Sequence, residues 1–234
     1  MADEQTLFPL DDREFALTKV KKNGSVFRFL PHEFQHDREI ALAAVERDGT
    51  IYMDLPEKYR HDREIILAAV KSNGLAFRNL LPRFQHDREI ALLAIKASGL
   101  VFEFLPYEFQ HDREIALLAI KGTSRIFKYL PWELKNDREI ALLAIKASGL
   151  TFEFLSWELQ HDREIALLAI KGTSHAFKYF PEELKNDREI VLAAIRRDAM
   201  IFLYLPLEIR NDREFALAAL KNNYRIFKYL PREV

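Results

Sequence analysis

Over 234 residues the chain sets 35 Lys and Arg against 36 Asp and Glu, a net charge of -1, with 49% hydrophobic residues, 18 Phe, 7 Gly, 9 Pro and no Cys. That much apolar area argues against disorder, the absence of Cys excludes disulfides, thiolate metal sites and Cys nucleophiles, and the balanced charge leaves no cationic surplus to displace counterions from nucleic acid. No stretch reaches the roughly 18 apolar residues of a membrane span, and the acidic start MADEQTLFPLDD lacks signal-peptide character, so a soluble intracellular, cytoplasmic protein is expected.

Residues 1–11 read as a lead-in, and from Asp12 the triplet Asp-Arg-Glu recurs nine times at intervals of 25, at Asp12, Asp37, Asp62, Asp87, Asp112, Asp137, Asp162, Asp187 and Asp212. A fixed period of this size belongs to solenoids, in which each unit buries its apolar face against its neighbours. The unbroken period from 12 to 234 leaves no place to cut, so one continuous domain of nine repeats is expected.

Counting Asp as position 1, positions 4, 5, 6, 8 and 9 are apolar in nearly every copy, as Ile90, Ala91, Leu92, Ala94 and Ile95 are in the fourth. The pattern is too continuous for strand alternation and predicts a helix of eleven or twelve residues covered on most of its circumference. Ala at position 8, from Ala44 to Ala219, predicts close approach of adjacent helices; the first copy has Lys19 there. The residue before Asp, which is Asp11, Asn136, Asn186 or Asn211 in four copies, reads as part of a capping box with Glu three residues on. Gly24, Gly49, Gly74, Gly99 and Gly149 are placed as the left-handed residue ending the helix.

A second, shorter element follows. Position 16 is aromatic in all nine copies, from Phe27 to Phe227, with Leu or Phe180 three residues later on the same face. Pro31, Pro56, Pro106, Pro131, Pro181, Pro206 and Pro231 then predict a break and one further turn carrying an inward Phe, Leu or Ile. Leu81 before Pro82 displaces the proline by one residue and predicts an irregular junction. Residues 87–136 and 137–186 differ at eight of 50 positions, and this doubled pair alternates Glu103, Lys128, Glu153 and Lys178, so stacked neighbours are expected to present opposite charges.

The phrase NDREIALLAIKASG, followed by FEFL, P-x-E-L-K and a return to NDRE, resembles an uncharacterised tandem repeat family known only as a domain of unknown function, with units of the form N-D-[RK]-E-[IV]-V-L-x-A-V-K-x-N-G. The resemblance covers residues 12–234 and implies an all-α solenoid of nine 25-residue repeats, each a longer helix plus a short helix or 3-10 turn. The family is similar to repeats in protist proteins and in effectors of intracellular bacteria, which implies interaction work inside a cell and supplies no catalytic residues. Gly122, Gly172, Ala199 and Tyr224 mark departures at the helix end.

Three constellations invite a chemical reading. Nine guanidinium groups in series could clamp phosphates or carboxylates. Because every copy keeps the triplet, ends included, the structural reading is preferred: Arg bridges to acidic groups of the adjacent repeat while Asp and Glu cap. His36, His61, His86, His111 and His161 share position 25, but neighbouring helices about 8 to 10 Å apart set imidazoles too far apart for one zinc ion; they read as helix-start residues interchangeable with Asn, with a pH-sensitive ladder as the alternative. No nucleophile elbow, phosphate loop or zinc-protease motif is present, so no catalytic site, metal or cofactor is expected.

The most suggestive positions vary between repeats. Positions 18 and 21 read Phe104 and Tyr107, Tyr129 and Trp132, Phe154 and Trp157, Tyr179 and Glu182, Tyr204 and Leu207, a stripe on one face if the turn stays helical. Position 18 leans toward core and position 21 toward the outside, since 21 also accepts Glu57, Glu182 and Arg232. Tyr107, Trp132, Trp157, Tyr129, Tyr179, Tyr204 and Leu207 are therefore the candidate contacts of a non-catalytic scaffold for a protein or peptide. A structural subunit that self-associates through ends lacking a polar cap, such as PREV, is the second reading, and RNA binding the third.

Overall fold

A computed structural model describes residues 12–230; the lead-in at 1–11, and with it Asp11, and the last residues, with Pro231, Arg232 and the PREV end, lie outside the described residues. The fold is an all-α solenoid of 25-residue repeats, with no strand among the described residues. Among the described residues a repeat consists of a long helix, a six-residue 3-10 helix and, in repeats 1 to 8, a short helical turn; in the fourth these are Arg88–Ala97, Gly99–Phe104 and Tyr107–Gln110. Contacts divide the chain after Gly122 into two compact units, a division the period does not mark. The first holds repeats 1 to 4 and the long helix of repeat 5; the second holds the rest.

The long helix has ten residues, and its cap is the Asp of the triplet rather than the residue before it. Asp87 Oδ1 accepts from the N–H groups of Glu89 at 2.9 Å and Ile90 at 3.2 Å, satisfying two donors that the first helical turn leaves orphaned. A carboxylate also complements the helix dipole there. The Glu at position 3 is thus not needed as a reciprocal cap.

At the other end the expected left-handed glycine is absent: no glycine among the described residues has positive φ. The helix stops on an extended residue, Ser98 at φ -156° and ψ 113°, whose N–H donates to Ala94 O at 2.8 Å. The chain then enters the 3-10 helix directly. Where that extended residue is Asn or Asp it caps the next element as well, as Asn23 Oδ1 does by accepting from Ser25 N–H at 3.1 Å. The glycine answers a different constraint. A Cβ on Gly49 would lie 2.3 Å from the carbonyl oxygen of Ala69 and 2.9 Å from Asn73 Cβ, both in the next repeat. Gly24, Gly74 and Gly149 face the same obstruction.

The break expected at proline is present. Leu105 and Pro106 are both extended, at ψ 149° and 154°, before the α-turn begins at Tyr107. The junction at Leu81 and Pro82 is regular, contrary to expectation: Leu81 at φ -61° and ψ 145° takes the conformation Pro has elsewhere, and Pro82 fits as the first helical residue, a position where the N–H that Pro lacks would have had no intrahelical partner. The variation falls in repeat 2 instead, where Glu57–His61 forms a 3-10 turn.

Packing follows register. Ile90, Ala91, Ala94 and Ile95 of the long helix are buried with Phe102 and Leu105 of the 3-10 helix and Phe109 of the α-turn. The position-16 rings of Phe27, Tyr52, Phe77, Phe102, Phe127, Phe152 and Phe202 are among the largest fully buried side chains, each contributing roughly 1.5 to 3 kcal/mol by burial. Successive repeats share this core, as the Phe152 and Phe180 rings do with centroids 4.4 Å apart.

Candidate functional site

The Asp-Arg-Glu ladder is inter-repeat stitching. Arg38 donates through Nε to Asp62 Oδ2 at 2.7 Å and through Nη2 to both Asp62 Oδ1 at 3.1 Å and Glu64 Oε2 at 2.5 Å. Arg13, Arg63 and Arg88 do the same toward their neighbours in the first unit, and Arg138, Arg163 and Arg188 in the second. One Asp therefore caps its own helix and receives the preceding repeat's guanidinium. Those bonds hold Asp37, Asp62, Asp187 and Asp212 below the usual carboxylate range, with the arginine hydrogen bond the largest cause in each. The guanidinium groups so engaged are each charge-paired with two carboxylates, which would repel a phosphate.

The histidines at position 25 divide by neighbour. Where position 21 is aromatic, the imidazole lies against it: Tyr107 with His111 at 3.9 Å and Trp157 with His161 at 4.3 Å between centroids. In both, Nδ1–H donates to the carbonyl of the aromatic residue, at 2.8 and 2.7 Å. His86 instead donates to Glu108 Oε1 of the next repeat at 2.6 Å, His61 receives Arg83, and His161 Nε2 lies 3.8 Å from Glu183. Among the described residues no group of three or more His, Cys, Asp or Glu could hold a metal ion.

Among the described residues position 21 is at the surface, with Tyr107 74%, Trp132 73%, Trp157 70% and Leu207 54% exposed. The leaning of position 18 toward core is overturned: Phe104, Tyr129, Phe154 and Tyr204 are exposed and Tyr179 is half-buried. The one helical face proposed for positions 18 and 21 is absent too, because the extended Leu130 and Pro131 interrupt the helix between Tyr129 and Trp132. Inward packing belongs to positions 16 and 19, which leaves position 18 pointing out at the end of the 3-10 helix. Tyr107 and Phe104 lie in the first unit and the other candidate aromatics in the second.

The charge alternation at position 17 does not close into a ladder. Among the described residues no ion pair joins Lys128 or Lys178 to Glu153; the two ammonium groups lie over the rings of Tyr129 and Tyr179, 4.6 and 4.4 Å from the centroids. Adjacent turns in the second unit are tied elsewhere, by Ser156 Oγ–H donating to Asn136 Oδ1 at 2.7 Å.

The family model described as a domain of unknown function, DUF4116, matches residues 12–60, 37–85, 62–110, 87–135, 112–160, 162–210 and 192–234. The chain belongs to the DUF4116 family. Most of the matched stretches span two of the 25-residue repeats, and those from 12 to 160 begin one repeat apart. No curated protein and no solved structure matches the chain.

Two structural positions of this DUF4116 array escaped the sequence reading. Position 24 is Gln in four repeats; Gln85 Nε2 donates to Phe77 O at 3.3 Å and Arg78 O at 3.1 Å, tying the α-turn back to the 3-10 helix, and Gln35, Gln110 and Gln160 repeat the bond. Position 11 reaches the open carbonyls at the end of the preceding long helix, as Arg197 does to Gly172 O at 2.9 Å and Asn222 to Ile195 O at 2.8 Å. The recurrence of Gln was a visible signal for the first. Position 11 varies too much to have given one. An open depression lined by Glu46, Leu67, Ala68, Lys71, Ser72, Glu89 and Leu93 lies across the long helices of repeats 2 to 4. No helix among the described residues is long and apolar enough to cross a membrane.

Proposed function

We propose that this chain is a non-catalytic scaffold that binds a protein or peptide inside the cell, in the cytoplasm. The observation that carries the reading is the pair Trp132 and Trp157, 73% and 70% exposed at the same register position of adjacent repeats in the second unit. Neither indole is needed to shield the core, which is closed by positions 16 and 19, and Trp is enriched among residues that dominate binding energy. The Trp157 indole also lies against the His161 ring, which His161 Nδ1–H anchors on the Trp157 carbonyl, and this contact reduces the side-chain freedom to be lost on binding. Tyr107, Tyr129, Tyr179, Tyr204 and Leu207 extend the apolar surface within their own units.

Substitution of both tryptophans by Ala is expected to weaken capture of a bound partner by at least about 10-fold, since hot-spot truncations cost 2 kcal/mol or more. Circular dichroism should stay helical and the unfolding midpoint nearly unchanged. Loss of fold would place the indoles in the core, and undiminished capture would remove them from the binding surface. A second reading is self-assembly or a place within a larger complex. A mass in solution that stays monomeric across concentrations counts against it. RNA binding is disfavoured by the net charge of -1.

A further inference from the structure

We propose that the Trp132 and Trp157 face docks an extended basic segment of another protein, in polyproline II conformation, with an arginine side chain laid on each indole. The inference rests on the reading of these two residues as partner anchors and adds the chemistry and conformation of what they hold.

The unpaired side chains directly beside the two tryptophans are carboxylates. Lys128 and Lys178 lie over the Tyr129 and Tyr179 rings, Lys185 donates to Glu182 at 3.1 Å, and Lys135 is half-buried. Glu133 and Glu158 each follow a tryptophan directly in its short turn, are exposed, and have no side-chain partner among the described residues. An indole with a free carboxylate beside it suits a guanidinium, which stacks on the aromatic face and donates to the carboxylate in the same plane. A phosphate or an acidic peptide would meet only repulsion from Glu133 and Glu158.

Spacing selects the backbone of the occupant. Packed neighbouring helices lie about 8 to 10 Å apart. A polyproline II strand completes one turn in three residues, with a rise of about 3.1 Å each, so side chains at i and i+3 leave the same side about 9.3 Å apart. One arginine per three residues thus matches one tryptophan per repeat, and exposed aromatic rings are the usual platform for such strands. An α-helix places i and i+3 only about 4.5 Å apart along its axis and cannot serve both indoles with adjacent residues of one face.

Trp132 and Trp157 are the 2 tryptophans of the chain, so tryptophan emission, excited where tyrosine does not absorb, reports on this face alone. The full chain is titrated with a synthetic peptide of four Arg-Pro-Pro units. A saturable emission change is expected. Calorimetry should show affinity falling on the order of 5- to 30-fold for each Trp→Ala change and roughly 2- to 5-fold for each of Glu133→Gln and Glu158→Gln. A Glu-Pro-Pro peptide should not bind, and Lys-Pro-Pro should bind more weakly than the arginine peptide. No saturable change, equal binding of the glutamate peptide, unchanged affinity in the Trp132→Ala/Trp157→Ala variant, or an emission response to polyuridylate in place of the peptide would each overturn the proposal. If the double variant loses a captured partner while the arginine peptide fails to bind, this inference falls and the scaffold reading survives; if it loses neither, both fall.

Discussion

Gly49→Ala tests how closely successive repeats approach, and Gly122→Ala is its internal control. The added methyl at Gly49 would lie 2.3 Å from Ala69 O, where ordinary contact begins at 3.4 Å, so the neighbouring backbone must yield by about 1.1 Å, which is 3.4 minus 2.3. Gly49 has no positive φ, so the cost is steric and none of it is backbone strain. Ser174 and Ala199 carry a Cβ at the same register, which shows that the stack can adjust and bounds the cost at the ordinary overpacking range of about 1 to 3 kcal/mol. At Gly122, the last residue of the long helix Arg113–Gly122, the nearest atom is Gly99 Cα at 3.5 Å, an ordinary contact. Alanine there should be neutral or stabilise by up to about 1 kcal/mol through helix propensity and a less flexible unfolded chain. Urea denaturation followed by circular dichroism reads both variants against the parent, and for a chain of this size each kcal/mol moves the melting temperature by about 2 to 4 °C. The reasoning is refuted if Gly49→Ala is as stable as Gly122→Ala.

Asp162 caps the helix Arg163–Gly172 by accepting from Glu164 and Ile165 N–H groups, so Asp162→Ala should cost about 0.5 to 2 kcal/mol in denaturant while Asp162→Asn keeps most of the stability; equal losses would mean that the Arg138 pair outweighs the cap. Phe152→Ala, at a fully buried ring, should cost about 3 to 5 kcal/mol, and Phe154→Ala, two residues on and exposed, within about 0.5 kcal/mol; the reverse order in thermal melts would invert the assignment of core and surface. The arginine bonds lower Asp37, Asp62, Asp187 and Asp212 from the ordinary 3.8, so their contribution is fully present above that value and is lost as pH falls through the lowered folded values. Arg38→Gln with Arg163→Gln should flatten this acid-side decline, measured as the urea midpoint against pH; a decline already under way between about pH 7 and 5 would point to other groups.

The sequence alone determined whatever lies within one repeat. The period, the long helix, the proline break, the buried aromatic at position 16 and family membership all rest on relations a few residues apart, where backbone geometry fixes which side chains meet. That Arg bridges to acidic groups of the adjacent repeat was also expected, but only the tertiary structure decided which atoms meet between one repeat and the next. Arg163 meets Asp187 and Glu189, 24 and 26 residues on, and the glycine of one repeat faces the helix end of the following one. Those pairings depend on how far each repeat is shifted and rotated against its neighbour, a quantity no local pattern encodes. The same shift explains why position 18, apolar enough to pass for core, is outside: the succeeding repeat covers positions 16 and 19 and leaves its ring exposed.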